Sequence, residues 1–578
     1  MKLDAAWTSL ALLAVMTGAG CGDDGSAEGT TGTSAETPDS DSVSPTTESG
    51  ESSASGDGDG DGDPATGDGD GEASTGDGDG EASTGDGDGD EDSGGVKFDV
   101  DEDIDAGGTG MGPSCEVVEG ELDAIPPCEE GAPADSFEPE VQWEWFGEGL
   151  HVNAITTPLV ANLTDDNEDG SIDLCDTPDI VVMTHDGLNN APERLWVLDG
   201  ATGSVHWDLD LGLSFSQVPA LGDVDGDGEL EIVAVTAANE LVIVSHEGLV
   251  ELQQPVAQAS SFRPALGLAD FDNDGEVEIF MGNRILDAQG NQVMWASNEP
   301  LNFYHASAAA DLDGDGDLEL IVGRSAFHHD GSVYYQANQI SASHAQVGDL
   351  DEDGEPEVLL SGANGLSLIE HDGSVTFVHQ TPGGDPPVNN NWRRPAAIHD
   401  FTADGTAEFS VSSANNYNVI EGDFSLIWAA PVADLTGAAG GTAFDFLGDG
   451  SAEAIYGDED SLFVFDEGGQ VVLQVPRLSR TTTEYPVVAD VDNDGSAELV
   501  VVSESDLPGN SATVQVIRDA QDRWVPARRI WNQHTYHVTN VREDGVVPQN
   551  ELPHWDYLNT FRTQAQAEDG VCLPEPVG

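Results

Sequence analysis

The stretch DVDNDGSAELVVV, Asp490 to Val502, sets acids at its first, third, fifth and ninth positions around a glycine and runs directly into four apolar residues. A β-branched run straight after the last acid reads as a strand, so the acid loop joins two strands of a sheet. The pattern recurs as DVDGDGELE (Asp223 to Glu231), DFDNDGEVE (Asp270 to Glu278), DLDGDGDLE (Asp311 to Glu319) and DLDEDGEPE (Asp349 to Glu357). DDNEDGSID (Asp165 to Asp173) keeps it with Asn167 at the third position, whereas DFTADGTAE (Asp400 to Glu408) carries Thr402 there and DFLGDGSAE (Asp445 to Glu453) carries Leu447.

From first acid to first acid the intervals run from 38 to 58 residues, the length of a propeller blade. Each loop is preceded by a short run of small and apolar residues, such as Val218 to Gly222, suited to a crowded inner strand. Each is followed by an apolar strand and a hairpin, as in LWVLDGATGSVHW (Leu195 to Trp207), RILDAQGNQVMW (Arg284 to Trp295) and LFVFDEGGQVVL (Leu462 to Leu473). A chain of short antiparallel strands must close on itself or expose its edges. The fold class predicted is therefore all-β: an eight-bladed β-propeller over 141–562, or a seven-bladed one if a weak unit merges with its neighbour. The strand from Val141 to Trp145 precedes the first loop and is expected to complete the last blade, clasping the ends together.

The loop spacing is also a chemical signal. A hard cation such as calcium takes six to eight oxygens, and acids at alternate positions converge on it while glycine at position 6 permits the turn. The ligands predicted are Asp165, Asn167, Asp169 and Asp173 in the first loop, then Asp223, Asp225, Asp227 and Glu231 in the second. The third offers Asp270, Asp272, Asp274 and Glu278, the fourth Asp311, Asp313, Asp315 and Glu319, and the fifth Asp349, Asp351, Asp353 and Glu357. The Asp490 loop adds Asp492, Asp494 and Glu498. Leu447 cannot ligate, so the Asp445 loop is expected to keep its shape without an ion. The plain alternative is a set of metal-free Asp-Gly turns. An EF-hand is a different motif, closed by a glutamate at position 12 between helices.

These units resemble the FG-GAP or VCBS repeats of integrin α-chain N-terminal propellers and of many bacterial surface proteins, over about residues 140–560. The resemblance implies a calcium-binding propeller used in adhesion and recognition, with calcium held by the acids named above. The hairpins with a late Trp207 or Trp295 also resemble those of quinoprotein-type propellers, a likeness that shared blade geometry alone would produce.

Residues 1–21 read as a signal peptide whose apolar stretch, Leu10 to Val15, is too short to span a bilayer. Gly18-Ala19-Gly20-Cys21 resembles the lipobox of bacterial lipoproteins, which implies acylation of Cys21 and an extracytoplasmic, lipid-anchored protein; an ordinary cleaved signal is the alternative. Residues 22–106 hold 28 acids against one lysine, Lys97, with few apolar side chains. Such a segment cannot bury enough surface to offset chain entropy and is expected to be a disordered linker. A cysteine-containing lead-in at 107–140 and a tail at 563–578 flank the propeller.

A net charge of −96 excludes a nucleic-acid partner, which needs cationic contacts to phosphate. No lysine follows Lys97, so Schiff-base and P-loop chemistry are excluded from the propeller. Apart from Cys21, an even number of cysteines outside the cytoplasm points to disulfides, expected as Cys115–Cys128 and Cys175–Cys572, with free thiols as the alternative.

Outside the loops, the densest polar segment is RRIWNQHTYHVTNVREDG (Arg528 to Gly545), where His534 and His537 would converge on a metal only if it were helical; a C-terminal cap over the last blade is the plainer reading. Trp392 beside Arg393 suits sugar stacking or anion pairing, with an ordinary blade contact as the plainer reading. No nucleophile motif is present. The reading is a non-enzymatic adhesion or recognition propeller whose partner is a cell-surface protein or glycan, touching membrane only through its lipid. A lyase-like polysaccharide-degrading enzyme on the same scaffold is the alternative.

Overall fold

The computed structural model describes residues 131–566 apart from 134–135, 188–192, 257–264, 302–305, 388–390, 435–437, 508–510, 557 and 565. The expected signal peptide and linker, most of the lead-in and tail, and Cys21, Cys115, Cys128 and Cys572 lie outside the described residues.

Eight four-stranded antiparallel sheets follow one another at 159–213, 220–255, 266–295, 308–336, 343–380, 397–431, 441–476 and 487–519, blades 1 to 8. Seven are simple meanders. Blade 8 takes its outermost strand from the front of the chain, where Pro139–Trp145 pairs antiparallel with Val514–Asp519. The predicted clasp is thus present. The seven-blade alternative falls because the two weakened units, blades 6 and 7, each form a full sheet.

Side-chain size sets the radial order. Innermost strands such as Ala220–Gly222 and Ala308–Ala310 are small and wholly buried. At Gly267 any Cβ would stand 2.1 Å from the Phe280 ring. Second strands carry the β-branched runs, buried on both faces at Glu231–Val235 and Glu498–Val502. Outer strands such as Val250–Pro255 and Val471–Pro476 are largely exposed, with every second residue half-buried. Of the late tryptophans, Trp207 latches one blade to the next, its Nε1 in blade 1 donating to His246 O of blade 2 at 2.9 Å and its ring lying over Gly248, whereas Trp295 is exposed beneath Arg284 of its own blade. Trp143 of the clasp strand latches as Trp207 does, donating to Gly200 O of blade 1 at 2.7 Å.

Beyond Asp519 the chain turns inward. Trp531 exchanges both backbone hydrogen bonds with Val160 on the inner strand of blade 1, at 2.8 and 3.0 Å, and Phe561 does so with Ile398 of blade 6, at 2.9 and 3.1 Å. The same segment accepts from Leu221 of blade 2 through Asn532 O and from Leu268 of blade 3 through the Gln533 side chain. It reaches blade 5 by Arg562 donating to Ala345 O, blade 7 by Thr442 donating to Arg562 O, and blade 8 by Gln564 donating to Val488 O. Sequence reasoning takes this stretch for a cap on the last blade; in the structure it fills the hub of the ring. Trp531, Tyr536 and Arg562 are at most 1% exposed. Among the described residues no helix is long and apolar enough to cross a membrane.

Candidate metal loops

Each acid loop links the first strand of its blade to the second, and one hydrogen-bond scheme holds all eight. The first acid accepts the N–H of the glycine five residues on: Asp223 from Gly228, Asp490 from Gly495, Asp165 from Gly170, and likewise in the other five, at 2.7–3.1 Å. That glycine has φ between +86° and +97° in every loop, a conformation costly for residues with a Cβ. In blades 2 to 8 the closing acid heads the second strand, and one of its oxygens accepts the N–H following the first loop acid, as Glu231 does from Val224 at 2.9 Å and Glu498 from Val491 at 3.0 Å.

The second oxygen of the closing acid is what distinguishes the loops. Oε1 of Glu357 and Oε1 of Glu498 are buried with no hydrogen-bond partner, as are Asp349 Oδ1 and Asp492 Oδ1. Ligand atoms of Asp223, Asp225 and Asp227 lie within 4.8 Å of one another, and the same holds for Asp270, Asp272 and Glu278 and for Asp311, Asp313 and Asp315. Burial, reinforced by neighbouring carboxylates, pushes Glu231 and Glu357 up to about 8 and Glu278 to about 7. In the most enclosed loop burial raises Asp490 to about 8 and Glu498 well above the ordinary range, with Asp494 and Asp492 adding repulsion. Orphaned acceptors in an uncompensated cluster of acids are what a hard divalent cation satisfies, so these residues fit one.

The weakened loops solve the problem otherwise. In blade 6 Thr402 Oγ1 donates to Glu408 Oε1 at 3.2 Å, the oxygen left bare in blades 5 and 8. In blade 7 the Leu447 carbonyl accepts Ala132 N–H at 2.7 Å, and Phe137 packs edge-on against Phe446, so the lead-in segment lies against this loop.

Blade 1 departs from the rest. The acid heading its second strand is Asp179, six residues past Asp173, and its Oδ2 accepts Leu163 N–H at 2.9 Å as the glutamates do elsewhere. Asp173 instead accepts Cys175 N–H at 2.9 Å. The Asp165 loop is an insertion with its own anchor, Asp176, a fully buried carboxylate collecting the N–H groups of Asp166, Asn167 and Asp173 at 2.9–3.1 Å. Cys175, beside that anchor, is disulfide-bonded.

The other candidates do not assemble into a site. His534 is fully buried against Tyr485, while His537 lies between Thr535 O and the Glu551 carboxylate, 2.5 Å from the latter, in a segment whose only helix is the single turn Val538–Asn540. The two histidines do not converge. Trp392 is fully buried in an apolar cluster with residues of blades 4 to 6, a blade contact, and donates to Asp385 O within its own connecting segment at 3.1 Å.

The FG-GAP repeat family matches residues 303–335, in blade 4. No curated protein matches the chain's sequence. Among solved structures, the V. cholerae biofilm matrix protein Bap1 aligns with a TM-score of 0.63 at 21% identity, covering 74% of this chain and 99% of that one. The rhamnogalacturonan lyase YesW aligns with a TM-score of 0.47 at 16% identity, covering 77% of this chain and 83% of that one. At these identities the likeness concerns fold alone. The chain is an eight-bladed β-propeller in which the segment 303–335 matches the FG-GAP repeat family.

Proposed function

We propose that this chain is a calcium-stabilised recognition propeller, held outside the cytoplasm of a bacterium by a lipid on Cys21 and binding a cell-surface protein or glycan. The observation that carries the reading is the repeated acid loop, whose Asp349 and Asp490 copies leave buried carboxylate oxygens bare. The Asp165, Asp223, Asp270, Asp311, Asp349 and Asp490 loops would each hold one calcium, whose charge offsets the crowded acids and ties first strand to second. We propose further that Cys115 pairs with Cys128 and Cys175 with Cys572, the second bond joining the first blade to the end of the chain.

Binding is favoured over catalysis by the hub. The axis of the ring, where side chains of several blades could meet on a substrate, is filled by Trp531, Tyr536 and Arg562. That leaves the loop face and the outer strands for a ligand, and an acidic linker of 22–106 would let tethered copies engage it with avidity. The test is an array of glycans and intact cells probed with the full chain, in calcium and in chelator, scored for retention and for cleavage. Retention that needs calcium and yields no product is expected. Release of shortened polysaccharide would replace this reading with the lyase-like one.

A further inference from the structure

Blade 1 holds a second constellation, meeting the Asp165 loop only at Asp166, in which a histidine faces three carboxylates. His206 Nε2, on the outer strand, lies 3.2 Å from Asp179 Oδ1, 3.8 Å from Asp166 Oδ1 and 3.8 Å from Asp199 Oδ2. Three elements bring these together: Asp166 comes from the insertion, and Asp179 and Asp199 are paired across the second and third strands.

Each carboxylate has its other oxygen tied down from outside. Asp166 Oδ2 accepts from Thr164 Oγ1 at 3.2 Å, Asp179 Oδ2 from Leu163 N–H at 2.9 Å, and Asp199 Oδ1 from Thr202 N–H at 2.7 Å and Thr202 Oγ1 at 2.5 Å. Thr164 also stands 3.1 and 3.4 Å from the two oxygens of Asp179. The remaining oxygens, of which Asp179 Oδ1 shares Thr164 at 3.4 Å, face the imidazole, in the way outer partners orient the ligands of a metal. A single imidazole N–H can satisfy only one of the three carboxylates, of which Asp179 is wholly buried.

We propose that Asp166, Asp179, Asp199 and His206 form a site for one divalent transition-metal ion of the zinc class. Metal–ligand bonds of about 2.0–2.2 Å in a tetrahedron put ligand atoms roughly 3.3–3.6 Å apart, close to the separations seen around Nε2. The imidazole nitrogen sets the preference, because calcium takes oxygen alone while zinc, cobalt and nickel accept nitrogen with carboxylate. Only in blade 1 does an aspartate, one methylene shorter than the glutamates elsewhere, head the second strand.

The experiment is cobalt(II) titration of the full chain in saturating calcium, which keeps the acid loops occupied. One equivalent should give a visible d–d absorption of tetrahedral strength that zinc displaces. His206→Gln should abolish it and Asp199→Asn weaken cobalt binding at least tenfold, with the calcium-dependent melting shift unchanged in both. His328→Gln, which removes the histidine near Glu319 in blade 4, should leave the band intact. Absence of the band in the wild-type chain, or its survival in His206→Gln and Asp199→Asn, overturns the assignment.

Discussion

The loops of blades 8 and 6 share a hydrogen-bond scheme and, among the four acid positions, part at one side chain. Asp490 holds Gly495 N–H at 2.9 Å and Asp400 holds Gly405 N–H at 2.8 Å; Glu498 and Glu408 accept the N–H groups of Val491 and Phe401 at 3.0 and 2.7 Å. At position 3, however, blade 8 has Asp492, and Glu498 keeps a buried bare oxygen, whereas blade 6 has Thr402, whose hydroxyl satisfies Glu408. Loop shape is therefore a property of the hydrogen-bond scheme, and metal demand a property of the side chains inside it. One can be kept while the other is lost.

The largest effect that separates the two kinds of loop is removal of calcium from all of them. At ten times its dissociation constant each ion adds about 1.4 kcal/mol, so the six loops proposed to hold calcium add roughly 8 kcal/mol. Melting in chelator should fall by many degrees, and calorimetry with and without calcium checks it. Blades 6 and 7 should contribute nothing to the shift.

Next in size is the pH dependence that chelation uncovers. Glu231 and Glu357 have folded values of about 8 against an ordinary value of 4.5. A raised folded value favours the protonated native state, so this stabilisation is complete below about pH 4.5 and is lost as pH rises through about 8. In chelator the protein should melt higher at pH 5 than at pH 8; calcium should flatten the difference by favouring the ionised form. Glu408, raised to about 7 by burial but held by Thr402, should keep its share of the pH dependence in either buffer.

Single substitutions sharpen the contrast further. Asp492→Ala should cost about 1.4 kcal/mol at ten times the calcium dissociation constant and less in chelator, where it also relieves repulsion on Asp490 and Glu498. Thr402→Ala should cost about 1 kcal/mol through the lost hydrogen bond, equally in both conditions. Paired denaturant titrations distinguish the two. The smallest change is a gain: Thr402→Asp should add one calcium to the chain, read by equilibrium dialysis.

The ring was legible because its signal repeats. Acids, glycine and a β-branched run recur about once per blade, and the clasp strand at Val141 to Trp145 precedes the first loop with no partner of its own. The blade 1 loop was misleading for the same reason: the insertion copies the repeat from Asp165 to Asp173 so closely that the true strand-heading acid, Asp179, is hidden behind it. Asp176, at a spacing that matches no repeat, gave no sign of its role. The hub was illegible because Trp531, Gln533, Phe561 and Arg562 find partners more than a hundred residues away, on inner strands of five blades, and no periodicity records such contacts. Trp392 looked exposed beside two arginines, yet Arg394 is itself buried against Asp434, 2.6 Å away, and the pair is carried inside with the tryptophan.

The most direct test of this account is the number of calcium ions bound by the full chain, counted by equilibrium dialysis for the wild type and for Asp492→Ala. Six ions in the first and five in the second are predicted, with the Asp400 and Asp445 loops empty in both. A wild-type chain that binds none, or one whose count is unchanged by Asp492→Ala, would contradict it.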